Sequence, residues 1–340
     1  ANSVRGYEDL LTRLNGVAAL VDQTIVLLQK GLTAGATPPK ALLAGVPEQI
    51  RQLLPDDPWQ SPLLARFRQI LGDMEEEEAA RLRGAALHAY ESKTAPAFRR
   101  LLVYLETTYI PAARESLGVG ALPNGAAWYA YLLRKATTTT RTPDQIHELG
   151  LAEVRRIRGE MDRVIATTGF VGSYAEFVTF LHTDPRFVPS NAEGLMDGYR
   201  AIEKEVEARL STIFGKIPAL PLRLAAVPPE EGVGRSTIYY DIGSGARGVA
   251  GTCYVNTFDL KARPTWERTA LFLHECLPGH HLQVSIAQSI RKAPKVLNYH
   301  DYTPFVEGWG VYAETLGEDL GLYRDPYAKF GQLASELWRV

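Results

Sequence analysis

Between Leu271 and Gln283 the chain reads Leu-Phe-Leu-His-Glu-Cys-Leu-Pro-Gly-His-His-Leu-Gln, so three of its seven histidines fall within eight residues. A helical pattern leads into this segment from Pro264, but no helix can run through it unchanged. Pro278 lacks an amide hydrogen, and its ring collides with the carbonyl four residues back, that of His274. Gly279 then opens backbone angles closed to other residues. The helix must bulge or break between Leu277 and His280. On an unbroken helix, six residues advance the chain by about 9 Å and turn it through about 600°. His280 would then face away from His274, and His281 would lie about 10.5 Å along the axis. A two-residue bulge brings His280 beside His274, whereas a three-residue bulge brings His281 there. We expect His280, with His281 nearby as a hydrogen-bond or substrate contact.

The order His274-Glu275 is that of the zinc-peptidase motif, in which histidines one turn apart hold the metal and the glutamate acts as base. Catalytic zinc commonly takes two His, one Glu and a water. The third ligand is sought in Phe305-Val306-Glu307-Gly308-Trp309-Gly310-Val311-Tyr312-Ala313-Glu314. Glu307 and Glu314, seven apart, share a helix face. Glu307 is assigned as ligand, with Gly308 letting the metal approach, and Glu314 as the partner of a ligating histidine. Glu275 is the expected general base for a metal-activated water. Tyr240 is chosen to stabilise an oxyanion, although Tyr239, Tyr254 and Tyr302 are also arguable among 16 tyrosines. Tyr254 and Asn256 are expected on the substrate side. His88, His147, His182 and His300 are scattered and are read as surface or packing residues.

The rest of the chain is mainly helical in pattern. Leu10, Leu11, Leu14, Val17, Leu20, Val21, Ile25 and Leu28 mark an amphipathic helix from Tyr7 to Lys30, closed by Gly31 and Gly35. Glu75 to Glu78 point all round a helix, so they form a solvated face near its start and not a metal cluster. Thr142-Pro143-Asp144-Gln145 is a capping box with proline at the first helical position, and its helix should reach about Thr167. A further helix should cover 191–214. After Gly215 the prolines 218, 221, 228 and 229 and six glycines separate short β-rich pieces at 222–227, 236–241 and 249–256. The fold class expected is mainly α, with a small sheet from about 220 to 257 beside the metal-binding helix. One domain over 1–340 is expected, with possible lobes at 1–215 and 216–340.

Composition excludes some alternatives. The 340 residues are 46% hydrophobic and 22% charged, enough to bury a core without disulfides or a structural metal. Cys253 and Cys276 make no disulfide framework and are expected to be ordinary half-buried thiols. A net charge of −2 gives no reason to expect nucleic-acid or anionic-membrane partners. No consecutive apolar run approaches the roughly 18 to 20 residues of a membrane span. The first residues are not a signal peptide. A leader removed earlier leaves secreted, periplasmic and cytoplasmic locations all open.

His-Glu-x-x-Pro-Gly-His-His-Leu-Gln followed by Glu-Gly-Trp resembles the bacterial family called domain of unknown function eight-eight-five, grouped with the zincin-like metallopeptidases. The second part is similar to the Asn-Glu-Gly helix of gluzincin peptidases, where the glutamate is the third zinc ligand. The resemblance extends to Asn124–Tyr129, Thr142–His147, Gly251–Thr257 and Phe330–Arg339. It implies a helical zincin-like fold, a Zn2+ cofactor and a peptide substrate. It also implies an edge strand at Val249–Asn256 that pairs with extended substrate, although a strand wholly paired inside its sheet fits the residues equally well. Family members continue past Arg339 into another helical segment, so the family's domain is expected to extend further. The expected function is zinc-dependent peptide hydrolysis. The alternatives are hydrolysis of a non-peptide acylated small molecule, or metal-retaining binding without turnover.

Overall fold

The structure, a computed structural model, describes residues 3–70, 74–217, 220–228, 231–290, 294 and 302–340. Pro218, Pro229 and His300, singled out above, lie outside the described residues. The chain divides into two compact units, 1–131 and 132–340, so the division falls well before residue 215.

The first unit is built on α1 (Val4–Thr33), α2 (Glu76–Ala89) and α3 (Ala95–Tyr104). Ser3 caps α1 by accepting the Gly6 N–H. The helix passes through Gly31 and ends at Gly35, whose φ of 64° supplies the left-handed turn that L side chains avoid. Tyr7, Leu14 and Val21, spaced by seven, form its buried face. Glu76, Glu77 and Glu78 occupy the first turn of α2, where the helix dipole favours negative charge. By length and composition alone, α1 could cross a membrane. Its apolar residues recur with helical spacing instead of forming one run, so a search for consecutive residues passes over it.

The second unit contains the candidate site. Its helices are α4 (Pro143–Thr167), α5 (Tyr174–Thr183), α6 (Ala192–Ile213), α7 (Arg268–Glu275), α8 (His280–Ser289), α9 (Thr303–Thr315) and α10 (Pro326–Arg339). The capping box of α4 forms as read: Gln145 N–H reaches the Thr142 hydroxyl and Thr142 N–H reaches the Gln145 side chain. α7 carries Phe272 and Leu273 into a core shared with Leu195, Tyr199 and Leu210 of α6. Phe330 and Leu333 of α10 pack with Ile157, Met161 and Phe177.

The sheet has three strands, β1 (Leu222–Ala226), β2 (Ile238–Asp241) and β3 (Gly251–Val255), in the order β1-β3-β2. β3 pairs parallel with β1 and antiparallel with β2. It is therefore the central strand, and the edge-strand expectation for Val249–Asn256 is wrong. β2 is the edge beside α7. Cys253 and Cys276 also depart from expectation: both are fully buried and joined in a disulfide between β3 and the residue after α7.

Glu267, just ahead of α7, is a further buried charge. Burial pushes its pKa up to about 7, against the opposing pull of Arg263. The folded-state value lies above the unfolded one, so the protonated carboxyl stabilises the fold below about pH 4.5, and that contribution is lost as pH rises through 7. Glu267→Gln should therefore be more stable than the wild type above pH 7, by about 1–3 kcal/mol. The two should converge below pH 4.5. Thermal melts of both proteins from pH 4 to 8.5 check this, and parallel curves would refute it.

Candidate metal centre

The chain leaves the α7 helix after Glu275. Cys276 has φ −109° and ψ −101°, Leu277-Pro278 is a cis peptide, and α8 starts at His280. A side chain at Gly279 would lie 1.8 Å from the His274 carbonyl, so only glycine fits. The bulge is held from outside by Trp309 of α9, whose indole N–H donates to the Pro278 carbonyl at 2.9 Å and lies 3.2 Å from that of Gly279. Sequence reading missed this tryptophan.

The bulge brings His280, and not His281, beside His274. Their ring centroids lie 4.9 Å apart and the rings are nearly perpendicular. Glu307 of α9 faces both: its carboxylate is 3.3 Å from His274 Nε2 and 3.9 Å from His280 Nε2. One donor atom from each of the three residues falls within 4.8 Å of the others. Atoms about 2.0–2.1 Å from one tetrahedral zinc stand about 3.3 Å from each other, the separation of Glu307 from His274, whereas Glu307 to His280 is wider at 3.9 Å. Tautomers support the fit. Nδ1 of His274 lies 2.8 Å from the buried carboxylate of Glu314, which can only accept. Nδ1 therefore carries the proton, and the bare Nε2 faces another acceptor, the Glu307 carboxylate. Two acceptors so placed need a cation or a proton between them.

α9 cradles the His274 ring. Glu307, Gly310 and Glu314 lie on one face at i, i+3 and i+7, with a carboxylate at each ring nitrogen and no side chain between. A Cβ at Gly310 would lie 2.5 Å from the ring, whereas one at Gly308 would meet nothing within 4 Å. The glycine that matters is thus Gly310, and the role given to Gly308 is withdrawn. Gly310→Ala should cost about 1–3 kcal/mol by overpacking and should weaken zinc binding. Gly308→Ala should do neither. Urea melts and zinc titration of the two variants test the contrast.

Electrostatics differ across the cluster. Burial disfavours the charged His274 ring, but the hydrogen bond and charge of Glu314 outweigh it and hold the pKa above the ordinary value. Burial lowers that of His280, and the neighbouring His274 adds to this, so His280 is disposed to be a neutral ligand. Glu275 is raised chiefly by burial, with Glu307 adding, against the pull of His274 and of the nearby Tyr240 backbone N–H. Arg339, another residue sequence reading missed, lies 3.4 Å from Glu314 Oε1 and 3.2 Å from His274 Nδ1. It offsets the charge of a fully buried carboxylate.

Three assignments are corrected, those of Tyr240, Tyr254 and Asn256, while His281 takes the hydrogen-bonding one of its two expected roles. His281 is buried, and both its nitrogens are engaged: Nε2–H donates to the Leu220 carbonyl at 2.9 Å, and Nδ1 accepts from the Tyr240 hydroxyl at 3.0 Å. It holds the sheet to α8 and offers nothing to a substrate. The Tyr240 hydroxyl is committed to that bond, so it is not free to meet an oxyanion. Tyr254 neighbours Cys253, whose side chain points to α7, so Tyr254 lies on the opposite face, where it stacks on Tyr239. Asn256 is fully buried. Its amide donates to the Gly232 and Arg235 carbonyls, and its oxygen accepts the Phe258 N–H.

The chain belongs to the bacterial family of unknown function DUF885, whose pattern it matches over residues 1–340. It is similar in structure to "the putative lipoprotein from Colwellia psychrerythraea", with a TM-score of 0.93 and 25% identity over 100% of this chain and 59% of that one. It shares its fold with a "putative lipoprotein of unknown function" from Shewanella oneidensis, with a TM-score of 0.64 and 16% identity over 98% of this chain and 63% of that one. The chain thus spans about three fifths of the length of these neighbours. No curated protein matches it.

Proposed function

We propose that this protein is a zinc-dependent peptidase with His274, His280 and Glu307 as metal ligands. The observation that carries the reading is the convergence of these three donors beside a half-buried glutamate of raised pKa, Glu275. Zinc held there would supply a Lewis acid for the scissile carbonyl and acidify a water. Glu275 takes the proton from the attacking water and delivers it to the leaving amine. Its raised pKa suits both steps, since a base must also be able to give the proton back. Glu314 fixes the His274 ring by its bond to Nδ1 and turns Nε2 towards the metal.

We also place the protein in a secreted or periplasmic setting. The two structural neighbours are named putative lipoproteins, and a disulfide suits an oxidising compartment. Metal content by mass spectrometry, beside digestion of a peptide library with Glu275→Gln as control, tests the enzymatic reading. One zinc per chain with wild-type-only cleavage supports it. Zinc with no cleavage by either protein would refute catalysis.

A further inference from the structure

We infer that the cavity between α7 and α10 is a second ligand site, which takes an apolar body carrying a protonated amine, with Glu267 as its counter-ion. The cavity measures about 370 Å³, inside the roughly 300–1,000 Å³ usual for small-molecule sites. Trp266, Leu271, Ala334 and Trp338 give it apolar walls, and Glu267 and Arg339 give it charge. Its walls are set in advance. The Trp266 indole N–H donates to the Leu181 carbonyl at 3.3 Å. A side chain at Gly331 would lie 2.0 Å from the Trp266 carbonyl, so α10 comes close to the start of α7 only because that residue has none. Trp338 is 88% exposed, which leaves its indole open to an entering molecule.

The two charged groups are not equivalent. Arg339 is already matched: it donates to the Ser335 carbonyl at 2.9 Å and stands 3.4 Å from the Glu314 carboxylate. Glu267 is half-buried, and among the described residues its carboxyl has no hydrogen bond and no ion pair. Arg263 pulls on it through space without reaching it. An ionised carboxylate in such a place lacks the partner that would offset its lost water. An ammonium entering the cavity supplies that partner through a charge-assisted hydrogen bond, and an indole face adds to its hold. The apolar body then lies along Leu271 and Ala334. Glu267 and His274, seven apart, share a helix face and stand about 10.5 Å apart along the axis. Arg339 is at the His274 end, 3.2 Å from Nδ1, and its charge excludes the amine from that end, which fixes the direction of the ligand. The donors proposed for zinc meet at Nε2, on the other side of the ring, so the cavity is a separate site.

This chemistry belongs to a lipophilic amine or to a free amino terminus, and two probes separate them: hexylammonium and leucyl-leucinamide, with hexanoate as the acidic control. Each is titrated by calorimetry into the metal-free full chain, so the outcome does not depend on the zinc reading. The pH is 7.5, between the value of about 7 for Glu267 and the roughly 7.7–8.0 of an α-amino group. At least one ammonium should bind, and hexanoate should not. Glu267→Gln, expected above to be the more stable protein at this pH, should weaken that binding by about tenfold or more, for the loss of one charge-assisted bond. Ala334→Phe should fill the cavity and weaken it as much, with Ala334→Leu in its place should the larger side chain prevent folding. Binding should also change the Trp338 fluorescence, read as the difference between wild type and Trp338→Phe. Binding of hexylammonium alone supports the inference with a lipophilic amine as ligand, and binding of leucyl-leucinamide supports it with an amino terminus. No binding of either, equal binding of hexanoate, or unchanged affinity in Glu267→Gln or in the cavity-filling variant would overturn it.

Discussion

Glu275→Gln is expected to leave zinc bound and to lower kcat for peptide hydrolysis by about 10²–10⁴-fold, the usual contribution of a general base. The amide keeps the shape of the carboxylate, so the local fold has no reason to change. It cannot take a proton from water. KM should move little, because Glu275 is assigned no part in ground-state binding. Hydrolysis at the wild-type rate would show that another group is the base, whatever the metal content.

The second large effect separates neighbours in sequence. His280→Ala removes one of three donors and should abolish tight zinc binding, with affinity falling by at least about 10²-fold. His281→Ala should leave the donors in place and instead strand the Tyr240 hydroxyl and the Leu220 carbonyl. Its cost should be stability, about 1–3 kcal/mol for groups left without partners. Zinc titration and urea melts of the pair distinguish the two. Loss of zinc only in the His281 variant would mean that the chain bulges by one residue more than the structure has it.

The parts of this site that could be read from sequence are those whose causes are local. Pro278 and Gly279 forbid a straight helix by their own chemistry, so the break follows from the sequence, while counting residues leaves both His280 and His281 open and the fold brings His280 to His274. Glu307 and Glu314 share a face because helix geometry makes seven residues nearly two turns. The capping box of Thr142 and Gln145 needs no information beyond four residues. What escaped depends on distant partners. Nothing near Gly310 says that an imidazole 36 residues earlier lies against it, and nothing near Trp309 says that it holds the carbonyls of a proline and a glycine. The place of β3 in the sheet stayed open because β1 lies beside it by a parallel pairing that no turn announces. Cys253 and Cys276 were separated by 23 residues and by a change from strand to helix. Asn256 looked polar enough for a substrate, yet it serves the loop from Gly232 to Arg235.

The unequal exposure of the three donors gives the site a direction of filling. The His274 side chain is 2% exposed and that of His280 12%, whereas Glu307 is 53% exposed. A hydrated cation coming from solvent meets the carboxylate first, while it still carries most of its water. It must shed that water stepwise to reach the two nitrogens behind. On the zinc reading proposed above, Glu307 would be the port of entry as well as a ligand, so Glu307→Gln should slow zinc uptake and weaken the final affinity as separate effects. Departure runs the same path in reverse, and a chelator in solution can take the ion only after both histidines have let go.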